Sequence, residues 1–361
     1  MKKFLPILLT VMALQGCTND LEYKAASAPE ELVVSAQLNS SDRTHTVFTY
    51  VSSGTALKPA PEDVTVTCLV NGSEAARGVR EEVEINVSEG RRERDATGDR
   101  SGEQRFFQGA FTFDLGFSPG DEVTIVAGGG GFSASGTTRF PEAPVIASVD
   151  TATVTIQRFW ELDKVRKLFR VDVAVEDRPG QDDWFILEAI LIQEAVLHRE
   201  GKEDEPLSKT TVLKIDAGDD KILGEGIILT NEEVLGTLSS NTYNIFRDAF
   251  FKDGTGRISF TLNPEELGPN GIISLPEGAA QNYDTAYISS SLEIRVCGIS
   301  QEEYNYLRAL GIQAMTFYNS NFIEPMSIPD NIEGGTGFVG ALSASKRAFR
   351  LPDTTIEFSL R

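Results

Sequence analysis

The chain has 361 residues, 40% of them hydrophobic and 24% charged, which is the composition of a globular body long enough for two domains with cores of their own. Its formal net charge is −21, more negative still once Lys2 and Lys3 leave with an N-terminal leader. That balance opposes nonspecific binding to nucleic acid and to an anionic membrane surface, and three cysteines exclude a disulfide framework.

Lys2 and Lys3 precede an apolar stretch, residues 4–14, broken only by Pro6 and Thr10. It is too short to span a bilayer permanently and reads as the core of a signal peptide, residues 1–16. The run Leu14-Gln15-Gly16-Cys17 resembles the bacterial lipobox, in which a small residue precedes a cysteine that is joined to diacylglycerol before cleavage. Cys17 is therefore the expected lipidation site. Two or three acyl chains, at about 0.8 kcal/mol per buried CH₂, would hold the protein on a membrane permanently. Residues 17–29 are polar, without hydrophobic pattern, and are expected to form a flexible tether. Thr18 beside the cysteine, where an aspartate would favour inner-membrane retention in enteric bacteria, points to the outer membrane, with the face left open.

Residues 30–142 carry short runs rich in Val, Thr, Ile and Phe, at 32–38, 45–51, 63–70, 82–87, 108–115, 121–127 and 131–140, separated by Gly, Pro, Ser and Asp. This spacing predicts an N-terminal antiparallel β-sandwich, Ig-like in character. Val64, Val66, Cys68 and Val70 share one face, as do Phe111, Phe113 and Leu115. Residues 89–104 are charged, nearly devoid of apolar residues, and expected to be a mobile loop. Gly128 to Gly131 lie between two strands, which suits a hairpin turn and not a phosphate cradle.

Pro141 and Pro144 mark the expected boundary to a second β-rich domain with a few short helices, residues 143–361. Further strands are expected at 154–159, 168–176, 184–197, 210–215, 257–262, 287–298 and 355–360. Ser300-Gln301-Glu302-Glu303 is a capping box opening a short helix that Gly311 can close, with Tyr304, Leu307 and Leu310 on one side. Residues 231–251 are expected to hold one or two more short helices, with Asn241 a break between them. Cys68 and Cys297 fall in different segments and read as buried thiols.

The chemistry-bearing residue types are sparse. His45 and His198 are the only histidines; each sits in an apolar run without a second His or Cys at ligand spacing, so no metal site is expected. The acid pairs Asp182-Asp183, Asp219-Asp220 and Glu232-Glu233 lie in turn-like surroundings that favour solvated carboxylates over a glycosidase pair. Residues 216–220 could offer oxygens to Ca²⁺ but lack EF-hand spacing. Trp160, Trp184 and Phe185 would stack on sugars only if exposed. No catalytic residues and no cofactor are expected.

The stretch Phe322-Ile323-Glu324-Pro325, then Asn331-Ile332-Glu333-Gly334-Gly335-Thr336-Gly337-Phe338-Val339-Gly340, resembles the C-terminal signature of a family of Bacteroidetes lipoproteins, the domain of unknown function 4249. The Arg170–Leu187 region, the strand entering Ser300-x-x-Glu303-Tyr304 and the lipobox agree in order. The resemblance implies no activity, but members are often encoded beside TonB-dependent outer-membrane receptors. Asn331, Glu333, Gly334, Gly335 and Gly337 form a tight loop, either structural or partner-binding, in which glycine permits close backbone approach. The reading from sequence is a noncatalytic, lipid-anchored outer-membrane protein, an accessory component of a TonB-dependent receptor or uptake system. The alternatives are a fimbrial or adhesive subunit and a glycan-binding surface lipoprotein.

Overall fold

The computed structural model describes residues 29–53, 56–88, 103–157, 165–217, 220–225, 241–267, 282–318 and 327–358. The signal peptide, Cys17 and nearly all of the tether lie outside them, as do residues 89–102, Trp160, the Glu324-Pro325 element and the Glu232-Glu233 pair.

The fold is mainly β. In chain order the strands are β1 (Glu30–Asn39), β2 (Thr44–Ser53), β3 (Ala56–Pro59), β4 (Thr65–Val70), β5 (Ser73–Arg77), β6 (Val79–Ser88), β7 (Glu103–Asp114), β8 (Glu122–Gly129), β9 (Phe132–Arg139), β10 (Ile146–Gln157), β11 (Val165–Glu176), β12 (Trp184–His198), β13 (Glu205–Val212), β14 (Ile245–Arg247), β15 (Thr255–Leu262), β16 (Thr285–Ile299), β17 (Ile332–Glu333), β18 (Thr336–Arg350) and β19 (Thr354–Glu357). Among the described residues two α-helices join them, α1 (Pro264–Leu267) and α2 (Gln301–Tyr318).

The first sandwich packs β18-β1-β2-β7-β6 against β17-β9-β8-β4-β5. Period-two alternation builds its core: Leu32, Val34, Ala36 and Leu38 from β1 meet Val64, Val66, Cys68, Val123, Ile125, Ala127, Phe111 and Phe113. At about 25 cal/mol per Å² of apolar surface, this burial is the main stabilising term. His45 sits in the same layer, its ring against Phe113 and Phe117 and its Nε2 3.0 Å from the Leu115 carbonyl. Burial lowers its pKa, so it is a core histidine in a hydrogen bond.

The second sandwich packs β13-β12-β16-β18 against β10-β11-β15. Phe185, Leu187, Ala189 and Leu191 of β12 and Leu292, Ile294 and Val296 of β16 face Val171, Val173, Val175, Ile258, Phe260 and Leu262. On the outer face Glu188, Arg295 and Lys346 stand in register across three strands. Glu293 joins them, bonded to Arg295 at 2.7 Å and Lys346 at 3.1 Å.

A single strand belongs to both sandwiches. Residues Thr336 to Leu342 of β18 run parallel to β1, and Ser343 to Arg350 run antiparallel to β16. The segments expected as domains, 30–142 and 143–361, are joined through it. Pro141, Glu142 and Pro144, between β9 and β10, pack on Gly298 of β16, where a Cβ would stand 2.7 Å from the Glu142 carbonyl oxygen.

Several local expectations change. The helix opened by Ser300 continues through Gly311 to Tyr318, and its apolar stripe of Tyr304, Leu307 and Leu310 packs with Ile245, Cys297, Ile299 and Leu342. Of the helices expected over 231–251, the part before Asn241 lies outside the described residues and a short 3-10 helix is present at Asp248–Phe250; the Asn241 amide bonds Leu223 O and Ile245 O at 2.8 Å and so holds the short strand β14 beside β12. Glu103 and Gln104, read as loop, pair in β7 with Ser88 and Val87. The largest difference is β18, since residues read as a glycine loop enter a fifteen-residue strand.

Candidate functional site

The family-like motif sits where the two sandwiches meet. Asn331 precedes β17, which pairs with β9 through Ile332↔Gly136 and Glu333↔Ser135. A turn at Gly334 and Gly335 then reverses the chain into β18. The Asn331 side chain bridges three places: its Nδ2 donates to Val339 O at 2.8 Å and Thr137 O at 3.1 Å, while its Oδ1 accepts from Val339 N at 2.9 Å. One amide therefore ties β9 to both sides of the hairpin, with donors and acceptor all used.

The glycines are required by space as well as conformation. Gly334 and Gly337 have φ of +75° and +119°. A Cβ at Gly335 would stand 2.3 Å from Leu32 O, one at Gly337 2.1 Å from Val34 O, and one at Gly334 2.3 Å from Ser133 O. These contacts let β18 lie flat against β1 and β9. Glu333 and Gly334 remain exposed at the turn.

Next to this hairpin lies a feature the motif does not reveal. Helix α2 packs on the outer face of the first sheet, with the Tyr306 ring stacked on Phe338 at 4.2 Å between centroids. Ser300 Oγ caps the helix by accepting from Glu303 N at 3.1 Å. The Glu303 carboxylate, read as the reciprocal half of a capping box, is spent elsewhere: Oε1 accepts from Gln37 Nε2 of β1 and Oε2 from Ala341 N of β18, at 3.1 Å for the latter. Glu303 is fully buried, and a Cβ at Gly340 would come within 2.8 Å of its Cδ. Burial pushes its pKa up to about 7, against the two donors that pull it down. Helix, first strand and shared strand thus converge on one buried carboxyl. The capping-box spacing pointed to Glu303 but assigned it the wrong partner.

The other residues singled out by sequence are dispersed. Asp183 is nearly buried in the fork of Arg178, which also bonds Glu142, whereas Asp182 is exposed. Asp220 accepts from the backbone amides of Ile222, Leu223 and Ser259, so its carboxylate organises a turn; Asp219 lies outside the described residues. His198 bonds Asp204 at 2.7 Å on the surface. Trp184 is half-buried beside Ile245, Cys297 and Leu307. Cys68 and Cys297 are free thiols in separate cores, the first pushed to about 11 by burial and the second higher still. Among the described residues no group of three or more His, Cys, Asp or Glu side chains could hold a metal ion, and no helix is long and apolar enough to cross a membrane.

A family model described as a domain of unknown function, DUF4249, matches residues 18–348. Comparison with curated proteins gives no match. Among solved structures, the C-terminal globular domain of an oligosaccharyltransferase from Pyrococcus abyssi is similar at 10% identity over 93% of this chain and 49% of its own, with a TM-score of 0.17. That likeness is too slight to bear on fold or function.

Proposed function

We propose, from the premise that this chain belongs to the DUF4249 family, that it is a noncatalytic lipoprotein of the outer membrane that serves a TonB-dependent receptor or uptake system as an accessory. The observation that carries the reading is the lipobox Leu14-Gln15-Gly16-Cys17 ahead of a long β body. The most specific motif of that body is committed to joining two sandwiches, which suits a scaffold that presents surfaces. The receptor enters through the gene neighbourhood that the family resemblance implies. Two measurements test this. Palmitate should label the wild-type protein and not Cys17→Ser, and affinity capture from native outer membrane should recover a receptor. Capture that preserves other envelope complexes but brings no receptor would sink the accessory role.

One feature favours the adhesive alternative. Strand β1 lies between β2 and β18 and buries Leu32, Val34, Ala36 and Leu38, so its release would open an apolar groove for a strand of another copy. A mature N-terminus still at Cys17 in surface material would exclude that route.

A further inference from the structure

The strand register defines two ends of the first sandwich, and only one is next to the anchor. Cys17 and Glu30 are thirteen positions apart. Whatever its conformation, that length of chain spans at most about 45 Å at 3.3–3.6 Å per residue, and about 20 Å on average as a coil. Glu30 opens β1 and pairs with Ser53 at the end of β2, which turns there into β3; Lys58 of β3 forms an ion pair with Glu30.

Three other loops gather at the same end. Gly335 lies against Leu32 O, near the start of β1, and Gly334 against Ser133 O, near the start of β9. The β8–β9 hairpin closes there between Gly129 and Phe132, and Gly130 N donates to Asp63 Oδ2 at 2.8 Å, drawing in the loop before β4. From this pole β18 runs parallel to β1 and continues into the second sandwich. Its fifteen residues span about 50 Å at 3.3 Å each, and β16 extends still farther from the pole, to Thr285 beside His198.

We infer that the pole formed by Glu30, the β8–β9 hairpin and the Glu333-Gly334 turn is the membrane-facing end of the protein, with the second sandwich carried outward from the lipid surface. The inference rests on lipidation of Cys17. Among the described residues, the acids exposed at this pole, Glu30, Glu31, Glu62, Asp63 and Glu333, outnumber the cations Lys58 and Arg80, a balance that opposes adsorption of this face to an anionic bilayer. Glu333 and Gly334 then sit at the level where a membrane-embedded partner can touch them.

Energy transfer to a headgroup dye tests this on the full lipoprotein, made in a lipidating host and reconstituted in neutral phosphatidylcholine vesicles. Single donors are attached at Glu333→Cys or Glu62→Cys at the pole and at Lys202→Cys at the far end. Cys68 and Cys297 are fully buried and do not compete for the label. Transfer at least twofold higher from both pole positions than from position 202 is the expected result. Equal or reversed transfer, with the protein floating on vesicles and Cys17→Ser not, overturns the orientation while the anchor stands. Failure of the protein with Cys17 intact to float overturns the anchor and the orientation with it.

Discussion

Replacing Glu303 with Gln removes a buried charge from the point where α2, β1 and β18 meet. The carboxyl has an ordinary pKa of 4.5 when unfolded and about 7 when folded. Because the folded value is raised, its protonated form is favoured in the native state, so its contribution to stability is fully present below pH 4.5 and is lost as pH rises through 7. The full shift corresponds to about 3 kcal/mol, of which about 2 kcal/mol falls between pH 5 and pH 8 at 1.36 kcal/mol per unit. Gln keeps the shape, and the Gln37 amide can turn to offer its oxygen to the new NH₂ group, so the variant retains hydrogen bonds without the titration. Urea unfolding at pH 5, 6, 7 and 8 is the assay. His45 titrates in the opposite sense: burial lowers its pKa, so its contribution is present above pH 6.5 and is lost as pH falls below that. Taking the difference between wild type and Glu303→Gln cancels it. The wild type should lose about 2 kcal/mol relative to the variant from pH 5 to pH 8, and a difference flat across that range would refute the reasoning.

Gly337→Ala should destabilise by about 3 kcal/mol, since it adds a clash with Val34 O to an unfavourable φ. Gly180→Ala, also at positive φ but with open space around the new Cβ, should cost only about 1 kcal/mol; equal costs in thermal unfolding would mean the close approach to β1 is unimportant. Asn331→Ala leaves Val339 N and O and Thr137 O short of partners and should cost about 2–3 kcal/mol by denaturant titration, with Asn331→Asp, which cannot donate, scarcely better. Thiol titration of the native protein should find neither Cys68 nor Cys297 reactive and should find both after unfolding without reductant. Fewer than two thiols in the unfolded chain would reveal a disulfide.

Much of the architecture was legible because alternation reports burial directly. Val64, Val66 and Cys68 share a face in sequence and are all buried in the first core, and the Tyr304-Leu307-Leu310 stripe of α2 finds an apolar surface. The β8–β9 hairpin was marked by its glycines. The first sandwich draws its strands from β1 to β9 and from the chain's C-terminal part, β17 and the first half of β18.

That contribution had no local signal. From Phe338 to Ser343 the strand β18 is buried on both faces, so alternation disappears, and its glycines weaken β propensity while serving close packing against β1. A parallel partner about 300 residues away is a long-range choice that no window of sequence contains. Glu303 makes the same point at one residue. Its spacing from Ser300 identifies a helix start, but whether its carboxylate turns back to the cap or inward to Gln37 and Ala341 depends on what packs against the helix. Periodicity and local motifs carry the strand-rich class and the faces of individual strands, because both are properties of short stretches of chain. That one strand completes both sandwiches, and that a buried carboxyl sits where α2, β1 and β18 converge, follows instead from contacts between segments far apart in the chain, which folding alone brings together.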